Sequence, residues 1–446
     1  MALGRTNILI SSSSGGGSGS EGSVDLPLNL KSFTATKGTA KVLLAWDYSN
    51  TNDLTGLQIN YKTGSYPSSP SDGTSVVIAD TTTKSKEITG LTNDTTYYFR
   101  AYPYREVDGG KYYQTYNENC KASATPSVFL EGAIDIDGSA FYLIPKATWA
   151  EMGVGTSNEI HPMFKVGGKV LDYVAIGRYE ASLSGSKAVS KKGVSPKVSV
   201  THTESETYCK NSGSGWHLIT RLEWASIANW CAKNGITPSG NISGSSVLAT
   251  GSSSSTTYSH NGKSDGIWDL CGNVWEWNSG FRLYKGELQV ISLDGNFNND
   301  AADASVDQSA SSPYWYAVDG TTGSLIKPNG SGTTANSLKI TASGWNISSS
   351  SANYSNGYDN ITCASSSICQ KAKDILTALG LLKNSALTSS TDDYLNLYKN
   401  TSGEYIGFSG GYFSSGSGAG VFAFDCHYGR ADSSAAVGFR PAFVPL

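Results

Sequence analysis

Gly266-Ile-Trp-Asp-Leu-Cys-Gly-Asn-Val-Trp-Glu-Trp277 brings three tryptophans, two carboxylates and two glycines into one short run. Before it stand Tyr208-Cys209 and Gly215-Trp-His-Leu-Ile-Thr-Arg-Leu-Glu-Trp224; after it come Gly410-Gly-Tyr-Phe413 and Gly438-Phe-Arg-Pro441. Working outward, two helices are signalled upstream. Thr203-Glu-Ser-Glu206 has the spacing of a capping box and predicts a short helix through Cys209. Thr220-Arg-Leu-Glu223 has the same spacing and opens a longer helix. Trp224, Ile227, Ala228 and Cys231 recur there on one helical face, and Asn234-Gly235 supplies the stop. Downstream, Ile368, Ala372, Ile375, Leu376 and Leu379 form another apolar stripe and predict a third helix. The rest of the sequence from Val128 onward is rich in Gly, Ser and Asn and predicts short strands.

Taken in order, these segments resemble the formylglycine-generating-enzyme, or sulfatase-modifying-factor, branch of the C-type lectin fold. Asn273-Val-Trp-Glu-Trp277 with its leading Gly272 is the most specific string. The resemblance covers 127–446 and implies an α+β domain with an insert at about 283–366. In enzyme relatives the matching turn holds calcium. Carried over, Asp269 and Glu276 would supply carboxylates and Gly272 and Val274 backbone carbonyls, hard oxygen donors that suit a structural Ca²⁺. The other reading is a hydrogen-bonded turn without metal, and no further cofactor is implied. The oxidase relatives bind copper through a cysteine pair in the segment equivalent to Ser415–Gly420, which has no cysteine here. Cys426 alone cannot replace two thiolates. The five histidines are scattered singly, unlike the iron-binding cluster of sulfoxide-synthase relatives. His217 reads as a core residue and His427 as a displayed contact. The EPN, QPD and WND signatures of calcium-dependent sugar binding are missing from the sequence. The expectation is a binding protein, not an enzyme; a formylglycine-generating-type oxidase is the rival of a different class.

The stretch 409–440 resembles something narrower, the variable region of diversity-generating retroelement proteins. Such elements recopy a template and randomise its adenines. An AAC codon becomes NNC, which never encodes Lys, Glu, Gln, Met or Trp, and none of these five occurs from Ser409 to Arg440. Gly410-Gly411, Ala419-Gly420, Phe422-Ala423 and Gly438-Phe439-Arg440 keep the family's fixed scaffold. Between them Tyr412, Ser414, Ser415, Gly418, Asp425, His427, Tyr428, Asp432, Ser434, Ala435 and Ala436 occupy variable positions and are the expected ligand contacts. A site open to many residue types must accept Asp, Arg and Phe alike, which a packed core does not. These positions are therefore expected on one exposed patch, with Phe422, Val437 and Phe439 pointing inward. Ser409 departs from the family, which has Arg before Gly-Gly, and puts a local salt bridge in doubt.

Upstream, 28–126 shows period-two patterning. Val42, Leu44, Trp46 and Tyr48 alternate on one face, as do Leu57, Ile59 and Tyr61, then Tyr97, Phe99 and Ala101. Ile88-Thr-Gly-Leu91 followed by Thr95-Thr-Tyr-Tyr-Phe99 resembles the fibronectin type III family. That implies an all-β, immunoglobulin-like sandwich with Trp46 in the core and Tyr97 at the tyrosine corner, serving as a spacer or adhesive module. Residues 1–27 read as an attachment peptide, Gly4 to Ile10, on a Gly/Ser linker, Ser11 to Ser23.

A net charge of −4 and a pI near 5.8, with no basic run, argue against nucleic acid as a partner. The start is too short and polar for a secretory leader, the first cysteine is Cys120, and no run is apolar enough to span a bilayer, so membrane insertion is not expected. The seven cysteines suit reduced, buried thiols. The resulting expectation is a phage tail receptor-binding protein, made in the bacterial cytoplasm and carried on the virion. It would bind a host-surface protein or glycan, dock into its assembly through the N-terminal segment, and be compatible with a homo-oligomer. The alternative is an exported adhesin of the bacterial cell surface.

Overall fold

The computed structural model describes residues 7–9, 23–25, 30–38, 41–51, 54–92, 95–115, 119–126, 132–348, 350–384 and 393–446. Of the attachment peptide and linker expected at 1–27, only an antiparallel pair lies among these, Asn7–Leu9 with Ser23–Asp25. The chain divides into two compact units, Met1–Phe129 and Leu130–Leu446.

In the first unit, Leu30–Gly38, Lys41–Tyr48 and Ser85–Thr89 form one antiparallel sheet. Gly56–Thr63 pairs with Thr74–Ile78 and Tyr97–Val107 in a second, which Gly110–Tyr113 and Lys121–Ala124 extend. Strand alternation sends Val42, Leu44, Trp46 and Tyr48 to one face. They meet Leu57, Ile59, Phe99 and Ala101 of the other sheet in a single core. The opposite face of Gly56–Thr63 is closed too. Gln58 and Asn60 are buried there because their amides donate to Pro70 O at 2.6 and 3.0 Å, and Asn60 also to Asp72 O at 2.9 Å. The Tyr97 hydroxyl accepts from Thr92 N at 3.1 Å, pinning the turn that leads into its strand.

The second unit has two large sheets. One has the order Gly132–Ile136, Ser139–Pro145, Tyr173–Gly177, Pro441–Phe443, Trp216–Leu218, so the last strand closes a sheet begun by the first. The other is centred on Phe281–Tyr284, Glu404–Gly410, Gly420–Tyr428 and Tyr394–Leu397. Trp275–Trp277 lies between Glu404–Gly410 and Val437–Phe439, and Trp277 pairs with Phe439 in the parallel register. The Gly266–Trp277 and Gly438–Pro441 motifs therefore share one sheet. The insert at 283–366 is not an appendage. Its strands Glu287–Ile291, Trp315–Val318 and Tyr354–Gly357 belong to the second sheet. This curled, mostly β architecture is compatible with a C-type lectin-like fold.

Three α-helices are present among the described residues. α1 (His202–Lys210) starts two residues before the box expected at Thr203. Thr201 is the cap, accepting from Glu204 N at 3.1 Å while Glu204 accepts from Thr201 N at 2.8 Å. Both spacings fit the box; in the fold Glu206, the acid of the later one, is buried beside His202 instead of reaching back to Thr203. α2 (Arg221–Lys233) begins at the expected Thr220–Glu223 box and stops at Asn234, where Gly235 takes φ +67°. α3 (Gln370–Ala378) carries the third stripe; Ile368 and Leu379 are buried just outside it. Trp224, Ile227, Ala228 and Cys231 of α2 enter the main core with Ile375, Leu376 and Phe424.

Candidate ligand-display site

The turn 269–276 organises the site from below. Asp269, Gly272 and Asn273 all take positive φ, +61°, +74° and +63°. Asn273 repays its strain with hydrogen bonds in both directions: its Nδ2 donates to Glu180 Oε2 at 2.6 Å, and its Oδ1 accepts from Leu248 N at 2.8 Å. Glu276 is fully buried and grips Arg440 in a two-pronged pair, Nε to Oε2 at 2.9 Å and Nη2 to Oε1 at 2.5 Å. Arg440 also donates to Gly177 O and Trp268 O, both at 2.9 Å, so one guanidinium ties both sheets and the turn together.

These contacts decide how far the turn suits calcium. Both Glu276 oxygens are engaged by Arg440, and Asp269 Oδ2 accepts from Thr250 Oγ1 at 2.9 Å and Gly251 N at 2.6 Å. Among the described residues no group of three or more His, Cys, Asp or Glu is placed to hold a metal. A guanidinium occupies the side of Glu276 that a cation would need, so the donor set does not fit calcium in this arrangement. Glu180, Asp269 and Glu276 surround the single Arg440. Burial, then the neighbouring Asp269 and Glu276, push Glu180 well above its ordinary range.

Above this foundation, Gly420–Tyr428 sits between Glu404–Gly410, antiparallel, and Tyr394–Leu397, parallel. Phe422, Phe424 and Cys426 point into the main core. Phe422 stacks on Tyr358 at 4.3 Å, and Phe424 lies under the Arg221 guanidinium at 4.0 Å. The opposite face carries Ala423, Asp425 and His427. A polar row crosses the strands there. Ser355 Oγ donates to Asn396 Oδ1 at 2.7 Å, Asn396 Nδ2 donates to Asp425 Oδ2 at 3.0 Å, and His427 Nδ1 contacts Asp425 Oδ1. His427 is 40% exposed and rests against Tyr398, Phe408 and Tyr428. Tyr412 and Tyr428 are half-buried on the same aromatic cluster, which includes Trp275, Trp277, Phe408 and Phe439.

The loops of the site are tied to the rest of the fold by their backbones, and Ser415 Oγ and Ser434 Oγ accept within them from Tyr412 N at 3.0 Å and Ala436 N at 3.2 Å. Phe413 N donates to Asn273 O at 3.1 Å, Gly244 N to Phe413 O at 2.7 Å, and Gly416 N to Ile242 O at 2.8 Å. In the second loop Ser199 N donates to Ser434 O at 3.0 Å and Trp275 N to Ala436 O at 2.9 Å. Gly410 and Gly411, at φ +97° and +86°, start the first loop where a Cβ on Gly411 would lie 2.5 Å from Ala419 Cβ.

Nine of the eleven expected contact residues are exposed or half-exposed: Tyr412, Ser414, Ser415, His427, Tyr428, Asp432, Ser434, Ala435 and Ala436. Gly418 and Asp425 are buried, contrary to the expected exposed patch. Tyr394 covers Gly418, where a Cβ would come within 2.2 Å of its ring, and Asp425 is enclosed by Asn396 and His427. Phe422, Val437 and Phe439 are buried as expected. Ser409 replaces the doubted salt bridge with a hydrogen bond, accepting from Arg221 Nη1 at 2.7 Å. Sequence reading missed Tyr394, Asn396 and Tyr398, which share the outer face although they precede the variable stretch. Their alternation with buried Leu395 and Leu397 was the available signal.

His217 is a buried core residue, bonded to Glu223 at 2.9 Å. None of the seven cysteines, all described, forms a disulfide, and burial drives the Cys426 thiol well above its ordinary range. The spacing Gly262-Lys-Ser264-Asp-Gly266 matches a nucleophile elbow on paper, but it lies in a turn and not between strand and helix.

The face thus combines a hydrogen-bonded backbone below with exposed and half-exposed side chains above. No family model matches the chain, and no curated protein matches it. Among solved structures it is similar to Major Tropism Determinant variants. The U1 variant is 13% identical over 82% of this chain and 77% of that one, with a TM-score of 0.26. The M1 variant is 13% identical over 83% and 77%, at 0.27. Treponema denticola variable protein 1 is 14% identical over 70% of this chain and 98% of that one, at 0.29.

Proposed function

We propose that this chain is a ligand-binding protein of the retroelement-diversified kind, presenting a changeable face on a C-type lectin-like domain. In this reading it serves as a phage tail adhesin that binds a protein or glycan of the host surface. The first unit, read as an immunoglobulin-like sandwich of the fibronectin type III kind, is its spacer, and the segment before it attaches to the tail. One observation carries the proposal: the ties from the loops at 413–416 and 434–436 to Ile242, Gly244, Asn273, Trp275 and Ser199 run between backbone atoms. Ser415 and Ser434 each add one side-chain hydrogen bond within their own loop, accepted from Tyr412 N and Ala436 N, whereas the ties to the rest of the fold do not use side chains. Tyrosine, serine and aspartate on a rigid frame suit binding, since little freedom is lost on association. An oxidase reading has no support in a site whose Ser415–Gly420 segment has no cysteine.

Sequencing this locus in sibling isolates tests the proposal. Variation should fall on Tyr412, Ser414, Ser415, His427, Tyr428, Asp432, Ser434, Ala435 and Ala436 and spare Gly410, Gly411, Phe422 and Phe439. Uniform residues across isolates, or changes concentrated at the buried positions, would overturn it.

A further inference from the structure

The two loops of the displayed face are tied down differently. The first, 413–416, meets the rest of the fold through backbone atoms at both ends, at Asn273, Gly244 and Ile242. The second, 429–436, has its backbone ties to Ser199 and Trp275 in its far half, at Ser434 and Ala436. In its near half Asp432 bonds within the loop, its N donating to Gly429 O at 3.1 Å and its Oδ2 accepting from Gly429 N at 2.8 Å. Among the described residues one side chain of 429–433 bonds outside the loop, that of Arg430.

Arg430 is half-buried, and its partners are already fixed by others. Its Nε donates to Glu404 Oε1 at 2.6 Å and its Nη2 to Glu404 Oε2 at 3.3 Å, a two-pronged grip that sets the plane of the guanidinium. Its Nη1 lies 3.4 Å from His202 Nδ1. Burial, then Arg430, hold His202 well below its ordinary range, so the ring is neutral and Nδ1 can accept. His202 is set edge-on to Trp277 at 5.8 Å. Glu404 also accepts from Arg282 Nη1 at 2.8 Å, and Arg282 lies over the Trp315 ring at 4.2 Å. Burial alone would raise the Glu404 carboxyl, but the hydrogen bonds from Arg430 and Arg282 outweigh it and hold it below its ordinary range. Because Arg282 stays on Glu404 whatever stands at 430, losing Arg430 frees the loop without stranding the carboxylate.

We infer that Arg430 is a fixed positioning residue within the variable stretch: it stays constant while its neighbours change, because its grip on Glu404 sets where Asp432, Ser434, Ala435 and Ala436 are presented. This rests on the reading of 409–440 as a diversified face. Amide hydrogen exchange of the full chain, read by mass spectrometry, tests the anchor without a ligand. In Arg430→Ala the amides of 429–436 should exchange about tenfold faster or more, while 413–416 keeps the parent rate. Arg430→Lys keeps the charge but loses the fork and should fall between; Ala435→Asp, a change at a displayed position, should match the parent. The melting temperature of Arg430→Ala should stay within a few degrees, since Arg282 remains on Glu404. Parent-like exchange at 429–436 in Arg430→Ala, equal acceleration at 413–416, or a chain that fails to fold would each overturn the inference. Among sibling isolates Arg should stand at 430 wherever Tyr412, Asp432 and Ala435 are replaced. A position 430 that changes with them would overturn this inference alone, whereas isolates uniform throughout would overturn the diversified reading with it.

Discussion

Glu180, Asp269 and Glu276 place three carboxylates around one guanidinium, and the cluster holds a proton more tightly than water-exposed acids do. Burial raises all three, Glu276 to about 7 from 4.5. A carboxyl raised in the folded state keeps a proton that the unfolded chain has released. Stability is therefore fully present below about 4.5 and declines as pH rises toward about 7. Thermal melts of Glu180→Gln should show a flatter decline across that window; an identical slope would place the proton elsewhere. At Gly418, substitution by Ser should lower the melting temperature, because its Cβ meets Tyr394 at 2.2 Å. Adding Tyr394→Ala should restore it, and non-additive melts would measure that coupling. These two residues also show where reading a sequence stops. The positions of Gly418 and Asp425 in the variable stretch were legible, but their burial depends on a strand far away in the chain.

Elements were legible where a local signal outweighed its surroundings. The α2 cap and stop, the α3 stripe and the alternation of Lys41–Tyr48 all carry their own periodicity. The start of α1 was not decidable locally, since two threonines offer the same box. Its true cap makes a prediction: Thr201→Ala should destabilise the unit by roughly 1 kcal/mol, and Thr203→Ala by clearly less. Chemical denaturation of both variants separates them, and the reverse order would return the cap to Thr203. The turn 269–276 was legible as a motif, but the guanidinium seated on its Glu276 was not, because Arg440 lies in another motif. With Arg440 seated on Glu276, added calcium or chelator should leave the melting temperature unchanged. A calcium-dependent rise would mean that the carboxylates reorganise around the ion.

At the scale of the whole molecule, each unit has a core of its own. A fragment spanning 130–446 should therefore fold alone and melt as the second unit does within the full chain; failure to fold would show that it depends on the first. The closing strand Pro441–Phe443 pairs with Tyr173–Gly177 and Trp216–Leu218, both made far earlier. Synthesis on the ribosome gives that arrangement a timetable. The early strands wait with an open edge, and Arg440 reaches Glu276 only after the whole variable stretch has been translated. A copy interrupted anywhere in that stretch never receives its lock. Such a chain would leave the edges of Tyr173–Gly177 and Trp216–Leu218 open to proteases, so that, on the proposed reading, only a face completed through Arg440 would be presented.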